Sequence, residues 1–365
     1  MRISARRALA WRLRRHGLID RPAAGDPAEV AGRLCGLHAQ VMGSAELSVL
    51  ARVEQPPRTA VADALWRERS LVKMWAARGT LHLLPAAELG TWLGALGTLR
   101  KFGNDGKLDT MRICAAVETA LRGRILSRDE LADEVGRSTG SARLAGWVRS
   151  SWGSDLKAAS FRGLLCFAAP EGNVVRFTAP DTWVGGIDRS GTPEEALRAV
   201  ARRFLGAYAP ATEESIARWW VGPPRTAVGR GLLAALGPEA VPVTFAGGTA
   251  WVLAADLDEM RRAEASPSYR LLPAFDPWVL AMARDEPFVR PEHLREVFRP
   301  AGRIAPVVLA GGRIAGRWTH RVVKGAVHLS IIPFERITRQ GRAALAEEAS
   351  RIATHLDRPL RLRWD

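Results

Sequence analysis

The sequence predicts an α+β chain: three tandem units of helices followed by a β-hairpin, then a β-rich C-terminal domain. Three observations carry this. Helix-start signals recur at Asp26-Pro27, Ser127–Glu130 and Thr192–Glu195. Each helical stretch runs into apolar segments broken by glycine, at Arg78-Gly79, Gly172-Asn173 and Gly247-Gly248. Beyond about residue 265 short strand-like runs replace the helical spacing. An order that repeats three times is stronger than any single copy of it.

The first unit, residues 1–105, opens with a helix over Ser4–His16. Asp26 as N-cap and Pro27 in the first turn start a second helix toward Leu37, and Thr59–Arg67 gives another. Leu71–Leu84 then reads as two strands around Arg78-Gly79. Helices followed by a hairpin is the order of a winged helix. In residues 106–184 a helix at Leu108–Leu121 leads to the capping box Ser127–Glu130. Helices at Ser141–Trp152 and Asp155–Phe167 follow, then a hairpin over Cys166–Phe177. Residues 185–264 repeat the order, with helices from Thr192 to Tyr208, Thr212 to Trp220 and Pro224 to Leu236, and a hairpin over Val241–Leu253. Residues 265–365 supply strands at Arg270–Leu272, Pro306–Leu309, Arg313–Trp318 and Val327–Pro333, a helix at Arg339–His355 and a closing strand Leu360–Trp364.

Fifty-three Lys and Arg against 38 Asp and Glu leave a net charge of +15, which suits a polyanionic partner. Part of the Arg excess over Lys fits a GC-rich genome, which weakens that argument. The N-terminal helix carries Arg2, Arg6, Arg7, Arg12, Arg14 and Arg15 before the first acid, Asp20. It reads as a basic face near phosphates rather than a secretory signal, since no apolar h-region follows. Three scattered cysteines, Cys35, Cys114 and Cys166, argue against both a disulfide framework and a zinc site, and point to a reducing cytoplasm. No apolar run approaches the ~20 residues of a membrane span. The expectation is therefore a soluble monomer that engages no membrane.

Familiar catalytic sets are absent: no Walker A, HExxH, GxSxG or GxGxxG stands in its required context. Seven scattered histidines include none at a convincing metal-ligand spacing with cysteine. The expectation is an activity needing no cofactor, no nucleotide and no metal. What remains is Leu37–Ser44, LHAQVMGS, at the end of the second helix.

That stretch, the hairpin core Arg78-Gly79-Thr80-Leu81-His82, the run Leu272-Pro273-Ala274-Phe275-Asp276-Pro277 and Gly302–Gly316 resemble the AlkZ/YcaQ group of DNA glycosylases, in order over nearly the whole chain. The resemblance implies three tandem winged helices with a C-terminal β-barrel. It also implies hydrolysis of the N-glycosidic bond of N7- or N3-alkylated purines in double-stranded DNA, with bulky adducts and crosslinks as substrates of some relatives. The family motif is Gln-x-Gln or Gln-x-Asp; here Gln40 matches the second position and His38 departs at the first. Both are implied to be catalytic. An alkylated purine carries positive charge and leaves without a general acid, so the site mainly positions and polarises water. Gln40 accepts a hydrogen bond from that water, whereas an imidazole, which titrates near neutrality, also accepts a proton.

Ser44 reads as a helix cap or a site group, His82 as structural or DNA-facing, and Asp276 as an Asx-turn acceptor before Pro277-Trp278 or a site carboxylate. For DNA contact the candidates are Lys73 and Arg78 at the first hairpin and Lys157 and Arg162 on the second unit's last helix. The segment Arg317–His328 adds Arg317, His320, Arg321 and Lys324 on a hairpin shaped to enter a groove. Each also reads as an ordinary solvated charge. A non-catalytic winged-helix DNA-binding protein or transcriptional regulator fits the same helices and charge.

Overall fold

Ser4 starts the first helix: its hydroxyl accepts the amide of Arg7 at 3.3 Å, and Ala5–Arg15 follows with Leu9, Trp11 and Leu13 buried. The computed structural model describes residues 1–365 except 24, 102–103, 151–153, 223–224 and 283–285. The architecture is α+β. It divides into one unit made of Met1–Val61, Ala201–Trp219 and Pro223–Asp365, and a second made of Ala62–Val200 and Trp220–Gly222.

In the first unit Asp26 caps Pro27–Arg33 by accepting the Ala28 amide at 2.8 Å. The helix stops four residues short of Leu37. Cys35 and Gly36 both take the left-handed backbone, φ 57 and 89, which ends a right-handed helix. The chain leaves them as the short strand Leu37–His38, then enters a new helix, Met42–Leu50. His38 and Gln40 thus lie in a break between helices, not at a helix end.

The large sheet of this unit has five strands, in the order Leu360–Trp364, Ala326–Pro333, Arg313–Val323, Val307–Ala310, Tyr269–Leu272. All pairings are antiparallel except Ala326–Pro333 with Leu360–Trp364, which is parallel. A parallel pair needs a crossover, and Arg339–His355 is that helix. Thr338 caps it by accepting the Gly341 amide. Leu345, Ala349 and Ile352 pack with Trp318, Leu329 and Ile331, and with Leu47 and Leu50 from Met42–Leu50. The domain core is therefore helix against sheet. Among the described residues this sheet does not close into the expected β-barrel, because Tyr269–Leu272 and Leu360–Trp364 are left as its two edges.

The hairpin Ala240–Phe245 with Gly248–Leu253 turns at Ala246-Gly247, both left-handed, and the N-terminus joins it through the Ile3 amide on the Thr244 carbonyl. Helices Pro193–Tyr208, Glu213–Val221 and Thr226–Ala234 precede it in sequence. The expected start of that last helix at Pro224, and the expected end of another at Trp152, lie outside the described residues.

The second unit holds the hairpin Leu71–Trp75 with Leu81–Pro85, whose turn places Arg78 and Gly79 at φ 60 and 65. Leu108–Leu121, Arg128–Thr139 and Ala142–Ser150 follow, the middle helix started by the reciprocal Ser127–Glu130 capping box. Ser154–Phe161 ends earlier than the sequence suggests, because Gly163 at φ 71 turns the chain. The strands Cys166–Glu171 and Val174–Thr178 pair, and the short strand Ile125–Ser127 adds to Val174–Thr178. Phe161 and Phe177 are fully buried.

Candidate active site

The extended backbone ends at His38, and Gln40 lies in the bend that follows, before the helix Met42–Leu50. His38 is buried, 6% exposed, and Gln40 is exposed. The His38 imidazole lies over the ring of Phe275, centroids 5.0 Å apart and planes 24° from parallel. Phe275 holds φ 60, a left-handed conformation that side-chain-bearing residues rarely adopt.

Next to Phe275, Asp276 is fully buried and its carboxylate is saturated. Arg52 donates to it from Nη1 at 2.8 Å and from Nη2 at 2.7 Å, the Ser48 hydroxyl donates at 2.8 Å, and the Trp278 amide donates at 2.9 Å. The Asx-turn of the sequence reading is present, and a buried ion pair is added to it. With four donors and no exposure, Asp276 serves by holding its neighbours. Ser48 lies on Met42–Leu50 and Arg52 just beyond it, so the helix that follows the motif is bound to the loop carrying Phe275. Arg52 and Ser48 escaped the sequence reading, because their role rests on contacts with a residue more than 220 positions away. Ser44 is buried in the first turn of the same helix. On it too, burial pushes the Glu46 carboxyl above its usual range.

Phe275 also lines a cavity of about 220 Å³ with Trp318, Thr319 and three guanidinium groups, Arg299, Arg303 and Arg317. Arg317 is held by Glu296 at 2.9 Å. The next residues along its strand form the hairpin arm: His320 stacks on Trp318 at 5.3 Å and is exposed, as are Arg321 and Lys324 at the tip, where Lys324 turns at φ 47. Of the residues chosen from sequence, the structure thus groups His38, Asp276 and Arg317 around Phe275.

Deeper in this unit His16 is fully buried, edge-on to Tyr208 and Trp278, with Nε2 against the Ala207 carbonyl. Burial first, then the Arg52 and Arg12 charges, depress its pKa far below the ordinary value.

The remaining candidates sit in the second unit. Lys73 is half-buried with its ammonium over the Phe167 ring at 5.3 Å, and burial lowers its pKa. Arg78 lies at the hairpin turn, its Nη2 3.3 Å from His82 Nε2, and His82 is buried with Nδ1 on the Thr80 carbonyl. Lys157 is half-buried, with a pKa lowered by burial. Arg162 donates from Nε to Asn104 at 2.9 Å. Among the described residues no cluster of three His, Cys, Asp or Glu could hold a metal ion, and no helix is long and apolar enough to cross a membrane.

Comparisons with known proteins agree on one family. The family described as DNA glycosylase AlkZ-like matches residues 31–355. The interstrand DNA cross-link repair glycosylase of Streptomyces sahachiroi is 35% identical over 369 residues, 97% of this chain and 96% of that protein. The solved structure of the Streptomyces sahachiroi DNA glycosylase AlkZ superposes with a TM-score of 0.86 at 32% identity, covering 99% of this chain and all of that one. The chain belongs to the AlkZ-like DNA glycosylase family.

Proposed function

We propose that this DNA glycosylase hydrolyses the N-glycosidic bond of alkylated purines, with bulky N7-alkylguanine adducts or crosslinks from genotoxic natural products as its substrates. The observation that carries the reading is the pairing of a buried, ring-stacked His38 with an exposed Gln40 two residues on. The Streptomyces relative's name supports crosslinks as substrates. Water attacks C1′ as the bond to N9 breaks; the bonding electrons neutralise the cationic purine, and the proton of the water passes to the imidazole of His38. Gln40 orients that water through its amide oxygen. No lysine is assigned a covalent role, so the enzyme is monofunctional and leaves an abasic site.

The +15 charge supports phosphate contacts by Lys73, Arg78, Lys157 and Arg162 in the second unit and, separately, by His320, Arg321 and Lys324 in the first. Arg299, Arg303 and Arg317, lining the cavity beside Phe275, suit a backbone phosphate near the lesion. Helices followed by hairpins support winged-helix units over 1–105, 106–184 and 185–264, with a C-terminal domain over 265–365. The protein acts as a cytoplasmic monomer without a cofactor.

The test is direct. Duplex DNA alkylated at guanine N7 by a nitrogen mustard is incubated with enzyme and then heated. Strand breaks at guanines are expected with wild type and are lost in the His38→Ala, Gln40→Ala double variant. Full activity in that variant rejects the site.

A further inference from the structure

We infer that Phe275 is a positioning residue for His38, fixing the direction of its imidazole by ring stacking, with the Arg52–Asp276 pair holding Phe275 in place. The inference rests on reading His38 as the water-activating group.

Four observations converge on Phe275. Its ring lies over the imidazole at 5.0 Å and 24°, close enough to restrict rotation of the His38 side chain. Its backbone is left-handed at φ 60, where glycine or asparagine is the low-strain choice. Strain of this kind persists only where the surroundings over-determine it. Those surroundings are next door: the Asp276 carboxylate is tied to Arg52 and Ser48, and the Asp276 carbonyl accepts the Val279 and Leu280 amides at 3.0 Å each. Finally, Phe275 is only half-buried and faces a cavity, so core packing does not explain an aromatic ring there.

The connectivity gives the stack its purpose. Ser48 and Arg52 belong to the stretch that begins two residues after Gln40, so one set of bonds fixes the motif's downstream helix and the loop bearing Phe275 together. The imidazole thereby stacks on a ring whose chain neighbour, Asp276, is tied to Arg52 and Ser48. A proton acceptor must stand within hydrogen-bond reach of its water, and a loosely held ring would spend little time there.

The experiment is a double-mutant cycle on single-turnover cleavage of the nitrogen-mustard duplex, with DNA affinity measured alongside by fluorescence anisotropy. Phe275→Asn suits the left-handed backbone but removes the ring. It is expected to melt like wild type, bind DNA with unchanged affinity and lose about tenfold to a hundredfold in rate. Phe275→Tyr, which keeps the ring, is expected to stay within about threefold of wild type. In a His38→Ala background, Phe275→Asn is expected to add less than about a twofold loss. An equal loss in that background, or a loss traced wholly to DNA affinity, overturns the positioning role while leaving the site intact. Wild-type rate in His38→Ala alone instead removes the reading of the site on which the inference stands.

Discussion

His38 lies over the ring of Phe275, with centroids 5.0 Å apart and planes 24° from parallel. An imidazole accepts the proton that a glutamine amide cannot. His38→Gln is therefore expected to lower the single-turnover rate about tenfold to a hundredfold at about pH 7.5. Equal rates for the two enzymes would show that His38 only positions water.

Arg52 and Asp276 are 1% and 0% exposed, and removing one partner leaves the other charge buried. Arg52→Ala is expected to cost about 3–5 kcal/mol in urea unfolding. Arg52→Lys should lose much of the same, since an ammonium cannot donate along both edges of the carboxylate. A cost below about 1 kcal/mol for Arg52→Ala would mean that water or a neighbour already satisfies Asp276.

His16 gives the stability a pH dependence whose sign is fixed. Burial and the charges of Arg52, Arg12 and Arg33 hold its folded pKa well below the ordinary 6.5, so the unfolded chain takes up a proton first as pH falls. Its contribution is present above about pH 6.5 and is lost below, with a slope of at most about 1.4 kcal/mol per pH unit. Unfolding free energies measured from pH 7.5 to 5 are expected to fall less steeply in His16→Asn than in wild type. Parallel curves for the two proteins would refute this.

Arg321 and Lys324 stand exposed at the tip of the hairpin formed by Arg313–Val323 and Ala326–Pro333. If each neutralises one phosphate, Arg321→Ala and Lys324→Ala each reduce the slope of log affinity against log salt by about 0.9. The loss should be similar for damaged and undamaged duplexes, because phosphates carry no lesion information. Arg303→Ala, which removes another group assigned to a phosphate, is expected to behave in the same way in the same titrations.

Elements with local signals were legible in the sequence. Leu108–Leu121, Arg339–His355 and Leu360–Trp364 fall where helical spacing, caps and turns put them. The break after Arg33 was not legible, because a cysteine rather than a glycine first takes the left-handed turn. The start of Met42–Leu50 was hidden for a related reason: Val41 offers no side-chain cap. Whether the C-terminal sheet closes depends on edge pairing between distant strands, which spacing within each strand does not encode. At the site, His38 and Gln40 were found only through family likeness, and Asp276 showed its turn but not its ion pair. Ser48, Arg52 and Phe275 acquire meaning from contacts across the chain, and a single sequence carries no trace of those.

Arg52 and Asp276 are 224 residues apart in the chain. During synthesis the motif at His38–Gln40 emerges early, yet its support cannot form until Asp276 has left the ribosome, when most of the protein is already made. Loop closure over so long a separation is slow and entropically costly, so assembly of the site is tied to completion of its unit. A chain that has not yet folded Asp276 into place thus carries His38 and Gln40 without the scaffold that the finished unit gives them.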